Sequence, residues 1–216
     1  LKPFVLILLK KLNAYKQPEK KHFSVYYTTR FNPLIRRGLP VTAISIPDVL
    51  ITTYLEMTDV GQFRPEYIEH AQLEMVRLGR PDVAFYRFLY KEVGWDWRWR
   101  DRLIIPESEL EAAISQPEVS IYVPYVEGVP AGYVELARQG EATEVAYFGL
   151  RAGYMGFGLG KHLLSYGIQR AWDDGAKRLW VHTCNLDGPY AIPNYTKRGF
   201  SVYKTEEEPM PERYRA

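Results

Sequence analysis

The spacing of apolar and polar positions changes several times along this chain, and each change marks an element. Residues 49–57, VLITTYLEM, are β-branched and aromatic enough for a first strand. Residues 58–80 mix polar positions with Phe63, Tyr67, Leu73, Met75, Val76 and Leu78, and their latter half reads as helical. After Pro81, Phe85, Phe88 and Leu89 recur at three- and four-residue spacing, which predicts a short amphipathic helix stopped by Gly94. Trp95, Trp97 and Trp99 then alternate with Asp96, Arg98 and Arg100. A period of two predicts an extended segment with its indoles on one side, serving either as core or as an aromatic wall for a substrate.

Pro106 and the acidic residues Glu107, Glu109 and Glu111 predict a helix running to about Ser115. Strands over 119–126 and 131–137 flank the turn signal Glu127-Gly128-Val129-Pro130 and form a hairpin, and a second turn at 138–141 leads to a strand over 143–150. A glycine-rich loop precedes a helix over 158–174, whose apolar face carries Leu159, Leu163, Ile168 and Trp172. The next strand, 179–184, follows a crossover helix and is expected parallel to its predecessor. A helix over 189–198, a stop at Gly199 and a strand over 200–204 complete the pattern. The order points to an α+β fold with one mixed sheet.

Composition narrows this picture. A chain of 216 residues with 46% hydrophobic and 25% charged positions is globular and is too short for two full-size domains. Residues 1–40 hold nine Lys/Arg against Glu19 alone, so a basic leader of +8 precedes a body of −6. That split argues against a nucleic-acid-binding body and leaves the leader as a solvated basic arm or as a contact for phosphates or an anionic membrane. We therefore expect a basic arm over 1–40 and a single domain over 41–216, divided into an acceptor-side part, 41–117, and a core, 118–205. Cys184 is the sole cysteine, which fits a reducing, cytoplasmic setting. The apolar run at 4–9 is too short to span a bilayer, and the four histidines show no ligand-like spacing, so neither membrane span nor metal is expected.

The segment from Gly149 to Lys161 joins a strand to a helix through five glycines. Glycine permits positive φ and close approach, while a helix start offers unpaired N–H groups, a combination that suits a pyrophosphate. Gly156, Gly158 and Gly160 are spaced by two, unlike a dinucleotide fingerprint, and Lys161 is followed by His162, unlike a Walker loop. Lys161 is either a cation at the rim or a solvated first-turn side chain.

Met155-Gly156-Phe157-Gly158-Leu159-Gly160 resembles the Q/R-x-x-G-x-G/A signature of the GNAT superfamily of acetyl-CoA-dependent N-acetyltransferases, with Met155 in place of Gln or Arg. A second block, Thr183 to Asp187 together with Ala191, Tyr195 and Gly199-Phe200, resembles the family's fifth strand, fourth helix and subsequent strand. The likeness covers about 119–204. It implies a mixed, mostly antiparallel sheet splayed between the fourth and fifth strands, and transfer of an acetyl group from acetyl-CoA directly to a primary amine. It further implies that main-chain groups of Phe148, Gly149 and Leu150 meet the pantetheine arm, that Met155, Gly156, Phe157, Gly158, Leu159, Gly160 and Lys161 cradle the diphosphate, and that Asn185 contacts the cofactor.

Such a transfer needs a base for the ammonium and a proton for the departing thiolate. By the same resemblance Glu144 is the base and Tyr195 the acid. Phe85, Trp95 and Trp97 are expected at the acceptor, with Glu56, Asp96 and Asp101 favouring a cationic amine on a small molecule, peptide or protein. A homodimer is compatible with all of this. Two alternatives stand beside it: an acyl-CoA-binding sensor without turnover, favoured by Met155, and transfer of a different acyl group, selected by the space near Tyr147 and Phe148.

Overall fold

The computed structural model describes residues 46–215. The expected basic arm and the apolar run at 4–9 lie outside them.

Eight strands form one sheet: β1 (Val49–Met57), β2 (Leu73–Arg77), β3 (Val119–Val126), β4 (Val129–Pro130), β5 (Gly132–Gln139), β6 (Ala142–Leu150), β7 (Arg178–Cys184) and β8 (Ser201–Pro209). Their spatial order is β2-β3-β5-β6-β7-β1-β8, with the two-residue β4 paired to β3. All pairings are antiparallel except that of β6 with β7, which is parallel. This is the mixed, mostly antiparallel α+β sheet that the sequence predicts.

Helices α1 (Val83–Gly94), α2 (Asp101–Ile104), α3 (Glu107–Ile114), α4 (Leu159–Asp173) and α5 (Ala191–Arg198) accompany the sheet. One core joins α4 and α5 to the sheet through Leu159, Leu163, Ile168, Val145, Leu179, Val181 and Tyr195. A second joins α1 and α3 to it through Tyr86, Leu89, Tyr90, Leu110, Ile121 and Tyr133. The Asp82 carboxylate caps α1 by accepting the Phe85 N–H at 2.7 Å. The helix is rolled from its expected face: Tyr86, Leu89, Tyr90 and Val93 are buried, whereas Phe88 is exposed. Tyr86 can be buried because its hydroxyl donates to Glu135 Oε2 at 2.6 Å.

Two further expectations are corrected. The latter half of 58–80 is strand β2, since Leu73–Arg77 pair with Tyr122–Val126 on β3. The tryptophan segment is not extended: Trp95–Trp97 make a 3-10 turn closed by Arg98 at φ 63°. The strand at 49–57 has its expected bounds, but it lies inside the sheet, antiparallel to both β7 and β8. Its Leu55 and Met57 are completely buried there.

Two irregularities shape the centre of the sheet. On β5 and β6, Glu135 pairs with Tyr147 but Leu136 pairs with Val145, so Ala146 is an extra residue. This bulge turns Glu144 and Tyr147 toward the same α1-side face, although their odd separation would otherwise part them. Strands β6 and β7 share rungs only at Ala142–Arg178, Thr143–Leu179 and Glu144–Trp180. Beyond that point they run on to Leu150 and Cys184 without pairing, which opens the gap expected between the fourth and fifth predicted strands.

Candidate active site

The glycine turn stands where β6 leaves the gap. Gly156 and Gly158 take φ of 88° and 79°, values that side-chain-bearing residues rarely adopt. Gly158 caps α4 without any side-chain acceptor, so the first-turn N–H groups of Leu159, Gly160 and Lys161 have no capping side chain. Met155 and Phe157 expose their apolar side chains beside them. At Gly149 a Cβ would come within 2.4 Å of Val93 Cγ1, so glycine lets β6 lie directly on α1.

Residues 64–68 run along the start of α4. The Glu66 N–H donates to Ser165 Oγ at 2.9 Å and the Ile68 N–H to His162 Nδ1 at 3.2 Å. Burial lowers the His162 pKa, consistent with a neutral ring that accepts. The Glu66 carboxylate pairs with Lys161 Nζ and, at 2.7 Å, with Arg198 Nη2. The Lys161 hydrogen bond foremost, then Arg198, holds that carboxyl below its usual range. Lys161 is thus neither free nor merely solvated.

On the α4 side of the sheet, Tyr195 sits with its ring centroid 6.1 Å from Phe148 and 6.0 Å from Phe200. Its hydroxyl makes no hydrogen bond to the described residues, and burial pushes its ionisation above the ordinary tyrosine range. It therefore keeps its proton at neutral pH. Asn185 is placed differently from expectation. Its side chain accepts the Ile51 N–H at 3.0 Å and donates to Val49 O at 3.0 Å, so both ends are committed to β1.

On the α1 side, Glu144 is only 13% exposed, with Oε1 lying 3.2 Å from His182 Nδ1. Its Oε2 accepts Gln139 Nε2 at 3.2 Å. His182 is flanked by Trp180 and Tyr54, at centroid distances of 6.0 and 5.8 Å. Nearby, Tyr147, Tyr90 and Trp99 form an aromatic triangle with centroids 5.2 to 5.4 Å apart. Beneath it lies buried Glu135, with Arg102 Nη2 at 3.3 Å. Burial raises the Glu135 pKa although Tyr86 and Arg102 oppose the shift.

The tryptophans divide among separate tasks. Trp95 is turned outward beneath the Arg100 guanidinium, 4.0 Å from its ring. Trp97 packs on Gly188. The Trp99 Nε1–H reaches Asp187 Oδ1 at 3.2 Å, while Asp187 Oδ2 accepts the Thr183 hydroxyl at 2.7 Å and the Cys184 N–H at 3.0 Å. Phe85 packs instead with Phe88 near the start of α1 and is not gathered with the indoles. Nor do the acidic candidates form one cluster: Glu56 pairs with Arg178 at 2.7 Å, Asp101 with Arg213 at 2.7 Å, and Asp96 is exposed. Burial first, then Asp187, pushes the Cys184 thiol up to about 11, a poor nucleophile at neutral pH.

Sequence reading did not single out His182 or Asp187, which the structure places beside Glu144 and Trp99. The available signal was alternation in β7, which places Trp180, His182 and Cys184 on one face. Among the described residues, no group of His, Cys, Asp and Glu side chains is arranged to hold a metal, and no helix is long and apolar enough to cross a membrane.

Comparison with known proteins adds to this geometry. No curated protein sequence matches the chain. A GCN5-related N-acetyltransferase from Kribbella flavida superposes with a TM-score of 0.53 at 20% identity, covering 72% of this chain and 55% of that one. A GCN5-related N-acetyltransferase from Sphaerobacter thermophilus gives 0.58 at 14% identity, covering 76% and 52%. An aminoglycoside acetyltransferase from an uncultured soil metagenomic sample, in complex with sisomicin, gives 0.50 at 16% identity, covering 59% and 87%. This chain spans about half the length of the first two, and at these identities the likeness concerns the fold. The model of the Acetyltransferase (GNAT) family matches residues 83–200, more than half of the chain and both motif blocks. The glycine turn, the opened strands and this match together place the chain in the GNAT acetyltransferase family.

Proposed function

We propose that this chain moves an acetyl group from acetyl-CoA directly to a primary amine of a small molecule, peptide or protein. The observation that carries this reading is the uncapped glycine turn beside two parallel strands that separate after three rungs. Backbone N–H groups at a helix start suit a diphosphate, and Met155 to Lys161 supply them. Main-chain groups of Phe148, Gly149 and Leu150 run beside the gap and suit the amide-bearing pantetheine arm. Glu144, with His182 beside it, forms the basic side of the site on one face of the sheet and Tyr195 supplies the acidic hydroxyl on the other, so the thioester would react between them. Trp97, close to the end of β7, is the acceptor-side candidate best placed for this reaction, ahead of Trp95 and Phe85.

Titration calorimetry with acetyl-CoA, followed by coenzyme A release with spermidine, a lysine peptide and glucosamine, tests the proposal. Saturable binding and amine-dependent release are expected. Absence of binding at millimolar acetyl-CoA would end it.

A further inference from the structure

On β7, Trp180 occupies the last rung shared with β6, so His182 is the next side chain on that face, where the strands have parted. Antiparallel pairing with Tyr54 on β1 holds its backbone on the other flank. The His182 side chain is 45% exposed, against 13% for Glu144. Both Glu144 oxygens are engaged, one near His182 Nδ1 and the other by Gln139, so an incoming ammonium meets the imidazole before it meets the carboxylate. His182 Nε2 makes no hydrogen bond to the described residues. Nδ1 makes a close approach to the Glu144 carboxylate rather than an aligned hydrogen bond, and a ring lone pair there would face negative charge, so the proton is favoured on Nδ1 and the Nε2 lone pair is left outward.

We propose that His182 Nε2 is the base that touches the acceptor amine, and that Glu144 is the positioning residue that fixes its tautomer. This rests on the acetyl-transfer reading above and names the proton's first stop. His182 takes one N–H proton from the ammonium and later releases it to water. The freed lone pair forms the N–C bond as the C–S bond breaks, and the departing thiolate takes the Tyr195 proton. The second N–H proton lost from the new amide restores that hydroxyl through water, so one proton is released per turnover. Trp180 and Tyr54, on either side of the ring, restrict its swing.

The test uses the full chain, acetyl-CoA and the three amines named above. His182→Gln should lower kcat about a hundredfold, with acetyl-CoA affinity changed less than twofold. Added imidazole should restore part of the rate to His182→Ala, which a merely structural histidine would not allow. Long-range proton–nitrogen NMR of the wild type, which does not depend on a variant folding, should find the proton on Nδ1. Wild-type turnover that survives His182→Gln unchanged, or a proton on Nε2 in the resting protein, overturns this assignment while acetyl transfer stands. A wild type that acetylates none of the amines removes the acetyl-transfer reading, and this assignment with it.

Discussion

The Trp99 indole N–H donates to Asp187 Oδ1 at 3.2 Å and so spans the opening between β6 and β7. Trp99 packs against Tyr147 of β6, whereas Asp187 binds the end of β7 through Thr183 and Cys184. Trp99→Phe keeps the ring and removes the donor. The loop over 185–190 should then exchange its amide hydrogens faster, with stability falling by about 1.5–3 kcal/mol, the range for a bond to a charged acceptor. Unchanged protection by hydrogen-exchange mass spectrometry would show that the strands hold their separation without this bond.

Asn185 extends the pairing of β7 with β1 beyond the last backbone rung. Asn185→Leu should cost about 0.5–1.5 kcal/mol in urea unfolding, because it removes two hydrogen bonds whose exposed backbone partners can turn to water. Acetyl-CoA affinity should shift less than threefold. A tenfold loss of affinity without destabilisation would return Asn185 to the cofactor.

Tyr195→Phe removes the hydroxyl and keeps the ring between Phe148 and Phe200. Steady-state kinetics should give a kcat about a hundredfold lower at unchanged acetyl-CoA affinity. Burial raises its ionisation above the ordinary 10.0, so the wild type should not lose this proton donor as pH climbs to 10.

Gly158→Ala forces a side chain into the left-handed region at φ 79°, with its Cβ 3.2 Å from Ile68 Cγ2. Stability should fall by roughly 1–2 kcal/mol and acetyl-CoA affinity by tenfold or more. Gly175→Ala is the control, since its φ of 86° carries the same backbone cost with nothing within 4 Å. Equal coenzyme affinity in the two variants would detach the turn from the coenzyme.

Cys184 should resist alkylation. With its pKa raised from 9.0 to about 11, the thiolate fraction at pH 8 is about a hundredfold lower than in the unfolded chain, and iodoacetamide labelling should slow accordingly. Because the folded value exceeds the unfolded one, the contribution to stability is complete below pH 9 and is lost as pH rises through about 11. Labelling at the rate of free cysteine would contradict the burial.

Local signals made most elements legible: period-two strands at 119–126 and 143–150, a helical stripe at 159–168, and glycine stops at Gly94 and Gly199. The glycine turn was legible because its features lie in adjacent residues. The features that escaped depend on distant pairings. Strand β2 is specified by its β3 partner rather than by its own period. The tryptophan alternation mimicked a strand because the 3-10 turn and the positive φ of Arg98 leave no apolar signature. Glu144 and His182 come together only through the parallel register of β6 and β7, which no local spacing encodes.

The placement of β1 has a consequence for how the molecule is made. Its hydrogen-bonding neighbours, at 178–184 and 201–209, are among the last parts of the described chain to leave the ribosome, so an early segment rich in Ile, Tyr and Leu waits with both flanks unpaired. Closing the sheet is therefore a late, long-range event. A nascent chain stalled before β8 would present a sticky ribbon to other chains or to a chaperone.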